Sequence, residues 1–278
     1  MNSRRIRWMT RVLAGLAGLI VAAPGSAAVV AVFNDPDYVD VSHESASIQT
    51  SLIGLGHTVS TFTGIDAASF NAAAASANLI LFPHLEPNLG TSLGDALGPA
   101  AVAALRDYVN QGGAVVAVGG DAHRLLNTLF YGPTPNFLAS SGLFGGGSFR
   151  QAAAAGTPYA AAPATLAALP GVDTGLNFFA FTPPGALALY MDSTSGTDAG
   201  AFNSVTAFVD DVGSGAVAYL SWSWLDAVAG DANGGWNPLL DLVVNEVAAP
   251  PAAVPLPASA PLLCGALALT IAARRRRA

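Results

Sequence analysis

Four short runs of apolar and β-branched residues recur through the first half of the chain: Val29–Phe33, Thr58–Phe62, Asn78–Phe82 and Ala114–Val118. Each has strand length, and turn signals close two of them, Asn34-Asp35-Pro36 after the first and Pro83 after the third. Between them the apolar period lengthens to that of a helix. Ser42 to Leu55 places Ile48, Leu52 and Leu55 on one face, with Ser42 as the expected cap and Gly56 as the stop. Ala67 to Ala77 reads as a small-residue helix. Pro99 sits where a helix begins, Val102, Leu105 and Val109 line one side, and Gly112-Gly113 end it. Alternating strands and helices with continuously apolar strands predict an α/β fold built on a doubly wound, mostly parallel sheet.

After about residue 132 the texture changes. Gly142 to Gly147 is glycine-rich and Ala152 to Ala168 is an alanine and proline stretch. Phe178–Phe181, Ala186–Met191, Val205–Val209 and Ala216–Trp222 then read as strands, and Trp236–Val247 as a last helix carrying Leu239, Leu240, Val243 and Val244 on its apolar side. One α/β domain over residues 29–248 accounts for this body. Residues 249–258 form a semi-rigid Pro/Ala linker.

Charge separates the body from its ends. The chain has 278 residues and a net charge of −7, and it contains no lysine. Its arginines crowd the termini, leaving Arg106, Arg124 and Arg150 against all eighteen acidic residues between Asp35 and Glu246, a net of −15. A surface this acidic repels phosphate backbones, which excludes nucleic acid as a partner. The single cysteine, Cys264, lies near the C-terminus, so the body has neither a disulfide nor a thiol for catalysis.

Both ends read as addresses. Arg4, Arg5, Arg7 and Arg11 precede an apolar stretch from Val12 to Ala23; Pro24-Gly25 breaks it, and Ser26-Ala27-Ala28 supplies small residues. This is the order of a secretory signal over residues 1–28, with cleavage expected after Ala28 by signal peptidase. At the other end, the apolar run Pro261–Ala273 is shorter than the roughly 20 residues of a membrane span. Arg274, Arg275, Arg276 and Arg277 follow it and hold that end on the cytoplasmic side.

Val254-Pro255-Leu256-Pro257-Ala258, followed by a hydrophobic helix and arginine cluster over residues 259–278, resembles the PEP-CTERM sorting signal of Gram-negative, exopolysaccharide-producing bacteria. Leu256 stands where that family usually has glutamate. The resemblance implies transient anchoring in the inner membrane and cutting at the Pro-rich motif by an exosortase-type protease. It also implies release to the cell surface or extracellular matrix, with exopolysaccharide as a partner there.

In the body, Leu79-Ile80-Leu81-Phe82-Pro83 and Val116-Ala117-Val118-Gly119-Gly120-Asp121-Ala122-His123-Arg124-Leu125 resemble the third strand and nucleophile elbow of class I glutamine amidotransferase-like proteins, a flavodoxin-like superfamily. Setting His123 and Leu125 against the histidine and leucine of that elbow puts Gly120 in the cysteine's place. The family's base comes from well after the elbow, whereas the four histidines here are His43, His57, His84 and His123. The resemblance therefore implies the fold without the thioester chemistry, and the expectation is a binding or structural role with no cofactor.

The residues themselves offer little other chemistry. There is no G-x-S-x-G elbow, and Gly142–Ser148 lacks the lysine of a phosphate loop. His84 and Glu86 follow strand three, and Asp121 and His123 follow strand four, the ends at which parallel sheets bind ligands. These four are the candidate polar site and the basis of an alternative reading as a hydrolase. Asp226, Asp231 and Asn233 offer oxygen ligands to a cation such as calcium, or cap a turn. Trp222, Trp224 and Trp236 either stack on a sugar or belong to the core.

Overall fold

The computed structural model describes residues 27–86, 90–132, 138–140, 147–170, 175–177, 185–192 and 204–248. The proposed leader apart from its last residues, the linker and the sorting segment lie outside these residues, as do the strand expected at Phe178–Phe181 and most of the glycine-rich stretch. Among the described residues no helix is long and apolar enough to cross a membrane.

In the first half the four predicted strands and three predicted helices form, with one further helical turn that the pattern does not show. β1 (Val29–Phe33), β2 (Thr58–Phe62), β3 (Leu79–Phe82) and β4 (Ala114–Val118) alternate with α1 (Glu44–Gly54), α2 (Ala67–Ser76), a single turn α3 (Leu93–Ala96) and α4 (Pro99–Asn110). All of β3 and β4 is buried, which explains why their sequences are apolar without alternation. β2 lies at the edge of the sheet and mixes half-buried with exposed positions. Pro99 occupies the start of α4, where its missing N–H costs nothing.

Ser42 does not cap α1. Its hydroxyl donates to Asp40 Oδ1 (2.7 Å), which also accepts the N–H groups of Ser42 (2.9 Å) and His43 (3.1 Å). Asp40 thus closes a turn before the helix, and the helix starts at Glu44 with His43 as its flanking residue. Those bonds hold the Asp40 carboxyl down at about 2.

After β4 the chain forms α5 (Ala122–Leu126) and a π turn (Asn127–Tyr131). The strands β5 (Leu138–Ser140), β6 (Ser148–Arg150), β7 (Thr165–Leu166), β8 (Gly175–Asn177), β9 (Leu187–Asp192), β10 (Ser204–Val212) and β11 (Gly215–Leu220) follow, and α6 (Trp236–Val247) ends the described body. The sheet runs β2-β1-β3-β4-β11-β10-β9-β6-β7, with β8 paired to β10 and β5 paired to β8. β2, β1, β3, β4 and β11 are parallel. That is the 2-1-3-4-5 order of flavodoxin-like sheets, with β11 in the fifth place.

The mostly parallel sheet expected from the sequence extends only to β11; beyond it the pairings are antiparallel. The reversal has a local cause. Val212 pairs with Gly215, so Gly213-Ser214 is a two-residue hairpin loop, with Gly213 at φ +62°.

Helices cover both faces of the parallel half. Ile48 and Leu52 of α1 pack with Leu239, Leu240, Val243 and Val244 of α6 on Val30, Leu81 and Val116. On the other face, Phe70 of α2 and Leu105 and Val109 of α4 pack on Phe33, Ile80 and Val115. Burying each such Leu, Ile or Phe contributes roughly 1.5–3 kcal/mol.

Candidate functional site

The carboxyl ends of β1, β3, β4 and β11 open onto one rim of the sheet. At β4 the chain turns through Gly119, at φ +71°, whose N–H donates to Leu220 O of β11 (2.8 Å). His84, two residues beyond β3, lies across this turn, its Nδ1 accepting the Gly120 N–H at 2.9 Å. The contact is close enough to dictate residue type. A Cβ on Gly119 would stand 2.4 Å from His84 Nδ1, and one on Gly120 would stand 2.8 Å from His84 Cε1.

α5 begins directly after this elbow. His123 Nδ1 lies 3.2 Å from Gly120 O and so folds back over the same turn. Asp121 pairs with Arg124 Nε at 3.3 Å, and Arg124 reaches on to Asp95 Oδ2 at 3.4 Å. Burial pushes the Asp121 carboxyl above its ordinary value, against the opposing pull of the Arg124 guanidinium. Asp95 belongs to α3, where the Ser92 hydroxyl accepts the Asp95 N–H (3.2 Å) and donates to the Asp95 carboxylate (2.8 Å). α3 approaches α5 so closely that a Cβ on Gly94 would stand 2.7 Å from the Arg124 backbone.

His84, Asp121 and His123 are therefore gathered around Gly119-Gly120. The backbone of Glu86 is anchored elsewhere: its N–H donates to Tyr38 O (2.7 Å), beside the bridge between Val39 and Leu85 that joins the β1 loop to the segment after β3. In that loop Asn34 Oδ1 accepts the Ser45 hydroxyl (2.6 Å), and Asp35 Oδ2 accepts the Gly64 N–H (3.0 Å). Asp95 is a member that the strand-end pattern misses, although the spacing Ser92-x-x-Asp95 is close to a capping box and marks the start of a helix.

The Asp226–Asn233 loop closes on itself. Asn233 accepts the Val228 N–H (3.1 Å) and donates to Val228 O (3.0 Å), while Asp231 Oδ1 accepts the Ala232 N–H (2.6 Å). Asp226 and Asn233 hold positive φ, +55° and +45°, as turn residues do. Among the described residues no group of three or more His, Cys, Asp or Glu side chains is placed to hold a metal ion.

The tryptophans are core. Trp222, Trp224 and Trp236 are at most 1% exposed and pack together, tilted or edge-on, with ring centroids 4.7 to 6.4 Å apart. Each indole N–H has an internal acceptor: Pro170 O, Asn237 Oδ1 and Ala167 O respectively. These three indoles leave no face for a sugar.

No protein-family model matches the chain, and no curated protein matches its sequence. Among solved structures, its fold is similar to that of the mmIFT52 N-terminal domain, with a TM-score of 0.52 and 12% identity over 79% of this chain and 96% of that one. At that identity the likeness is one of fold alone. A ThuA-like protein from Bacteroides uniformis aligns more loosely, with a TM-score of 0.48 and 15% identity over 83% of this chain and 93% of that one. The exo-beta-1,4-mannosidase Op5Man5 from Opitutaceae bacterium strain TAV5 aligns over 80% of this chain with a TM-score of 0.42 and 11% identity. This chain spans only 35% of that enzyme's length.

Proposed function

We propose that the protein is exported, sorted through its C-terminal signal, and released to the cell surface or matrix, where its amidotransferase-like body binds rather than catalyses. The observation that carries the second half is the filled elbow. In the family that Val116–Leu125 resembles, the turn after this strand presents a nucleophile; here its place is taken by Gly120, and the His84 ring occupies the space a side chain would need. Nucleophilic catalysis requires a reactive side chain and a base within hydrogen-bond reach of it. His84 Nδ1 is already engaged as the acceptor of a backbone N–H.

The export half rests on the sequence of the two ends. The basic, apolar and small-residue order of residues 1–28 supports a leader, and Val254–Ala258 with Arg274–Arg277 supports the sorting step. A body of net −15 repels polyanions, so a matrix polysaccharide that it touches is a neutral or cationic one.

Two experiments test the two halves. With Pro255 and Pro257 both changed to alanine, the chain stays with the inner membrane, while the unaltered chain reaches the surface or medium; intact unaltered chain in the cytosol overturns the sorting reading. The purified body shows no hydrolysis of amide or ester substrates. Hydrolysis that disappears in His123→Ala would replace the binding role with the hydrolase reading.

A further inference from the structure

We propose that the leader is removed between Ala27 and Ala28, one residue earlier than the small-residue pattern alone suggests, and that the α-ammonium so formed on Ala28 docks on the buried His57 ring, which Asp241 backs from its far side. This rests on the export reading above. Ala27 is exposed, but Ala28 is only 4% exposed and its methyl group belongs to the core beside Val30 and Ile48. Its N–H lies 3.3 Å from His57 Nδ1 as a donor, and its carbonyl accepts the Thr58 N–H at 2.9 Å. Ala28 is thus a working part of the fold, joining the start of β1 to the start of β2.

The acceptor beneath it is built. The His57 side chain is 2% exposed, and its Nε2 lies 3.2 Å from Asp241 Oδ1 on α6, a contact too poorly aligned to count as a hydrogen bond. Asn245 Nδ2 steadies the same carboxylate at 2.8 Å. Burial lowers the His57 pKa, which keeps the ring neutral and Nδ1 free to accept. A carboxylate thus stands across the ring from the Ala28 nitrogen.

The two candidate cuts have different consequences. Cutting after Ala28 deletes the donor to His57, the acceptor of Thr58 and a buried methyl group, and leaves the new ammonium on Val29 beside the neutral Asn78 Oδ1 at 3.2 Å. Cutting after Ala27 keeps all three features. Water adds across the Ala27–Ala28 amide and the C–N bond breaks: the water oxygen stays with Ala27, which leaves as a carboxylate, and the Ala28 nitrogen takes up both protons of the water to become an ammonium. A neutral donor facing His57 becomes a charged one, and such bonds are the stronger kind. Gly25 and Ala27 supply the small residues that signal peptidase inspects at this bond.

The absence of lysine makes the test direct, because the α-amine is then the one primary amine of the mature chain. The protein secreted by a Gram-negative host is sequenced from its N-terminus and begins at Ala28. In the folded protein, reductive dimethylation of that amine runs about tenfold slower than after unfolding, because a charge-assisted hydrogen bond withholds it from the reagent. His57→Ala removes this protection. Should that variant fail to fold, Asp241→Asn, at a side chain 40% exposed, carries the same test and weakens the protection. A start at Val29, or equal rates in folded and unfolded protein, overturns the proposal while leaving export intact. A start at Met1 overturns the leader reading itself.

Discussion

The two halves of the sheet obey different rules. β1, β3, β4 and β11 run parallel with helices on both faces, and their side chains are almost wholly buried. β6, β7 and β9 run antiparallel, include pieces of two and three residues, and carry half-exposed side chains such as Phe149, which is 45% exposed. The candidate site gathers at the carboxyl rim of the parallel half. There the strands are stiff and close-packed, so a turn such as Gly119-Gly120 is held where a neighbouring ring can rest on it. The segment after β7 closes over the tryptophan cluster, with Ala167 O and Pro170 O accepting from Trp236 and Trp222.

The contrast predicts a graded set of effects, each measurable by urea unfolding. Leu81→Ala, in the middle of the parallel half and fully buried, costs about 2–5 kcal/mol. A loss below about 1 kcal/mol would mean that this half is not the rigid one. Gly119→Ala costs about 1–3 kcal/mol, because it combines a positive φ with a Cβ placed 2.4 Å from His84 Nδ1. Adding His84→Ala recovers the steric part, giving a coupling of about 1 kcal/mol between the two positions. Simple additivity would show that the ring does not rest on the turn.

Asp210 on β10 gives a pH test. It is 3% exposed and accepts the Tyr131 hydroxyl at 2.9 Å through one oxygen, and among the described residues the other has no hydrogen-bond partner. Burial raises its pKa, so the folded state holds this proton more tightly than the unfolded one. The stability it contributes is complete below the unfolded value of about 3.9. It is lost as pH rises through the higher folded value, at a slope of up to about 1.4 kcal/mol for each pH step of one between the two values. Asp210→Asn flattens that slope above about pH 4; an unchanged slope assigns the effect to another carboxyl. Phe149→Ala, last and smallest, stays within about 0.5 kcal/mol of the unaltered protein.

The same contrast explains what can be read from the chain. The runs Val29–Phe33 and Ala114–Val118 form strands with those bounds, and Trp236–Val247 forms a helix with those bounds, because each is decided by a sustained apolar pattern. β6 and β7, Ser148–Arg150 and Thr165–Leu166, exist because they pair with each other and, through β6, with β9; nothing in such short segments sets a period. The reversal between β10 and β11 is written in Gly213-Ser214 between two apolar runs, a hairpin signal that a reading of continued alternation misses. Of the site, His84, Asp121 and His123 are identifiable from their places at strand ends. Their arrangement is not, since it follows from a ring resting on two glycines 35 and 36 residues away in sequence.

The three arginines of the body have a further consequence outside binding altogether. Arg106 lies within α4 and donates to Thr128 O and Leu129 O, Arg124 lies within α5 between two carboxylates, and Arg150 lies in β6 and donates to Ala160 O and Ala162 O. With no lysine present, these are the body's whole supply of tryptic sites, each held in regular structure by its own side chain. A protease needs an extended, accessible segment, so digestive enzymes of trypsin-like specificity meet a folded body with almost nothing to cut. Resistance to such enzymes is in that sense written into composition rather than into fold strength.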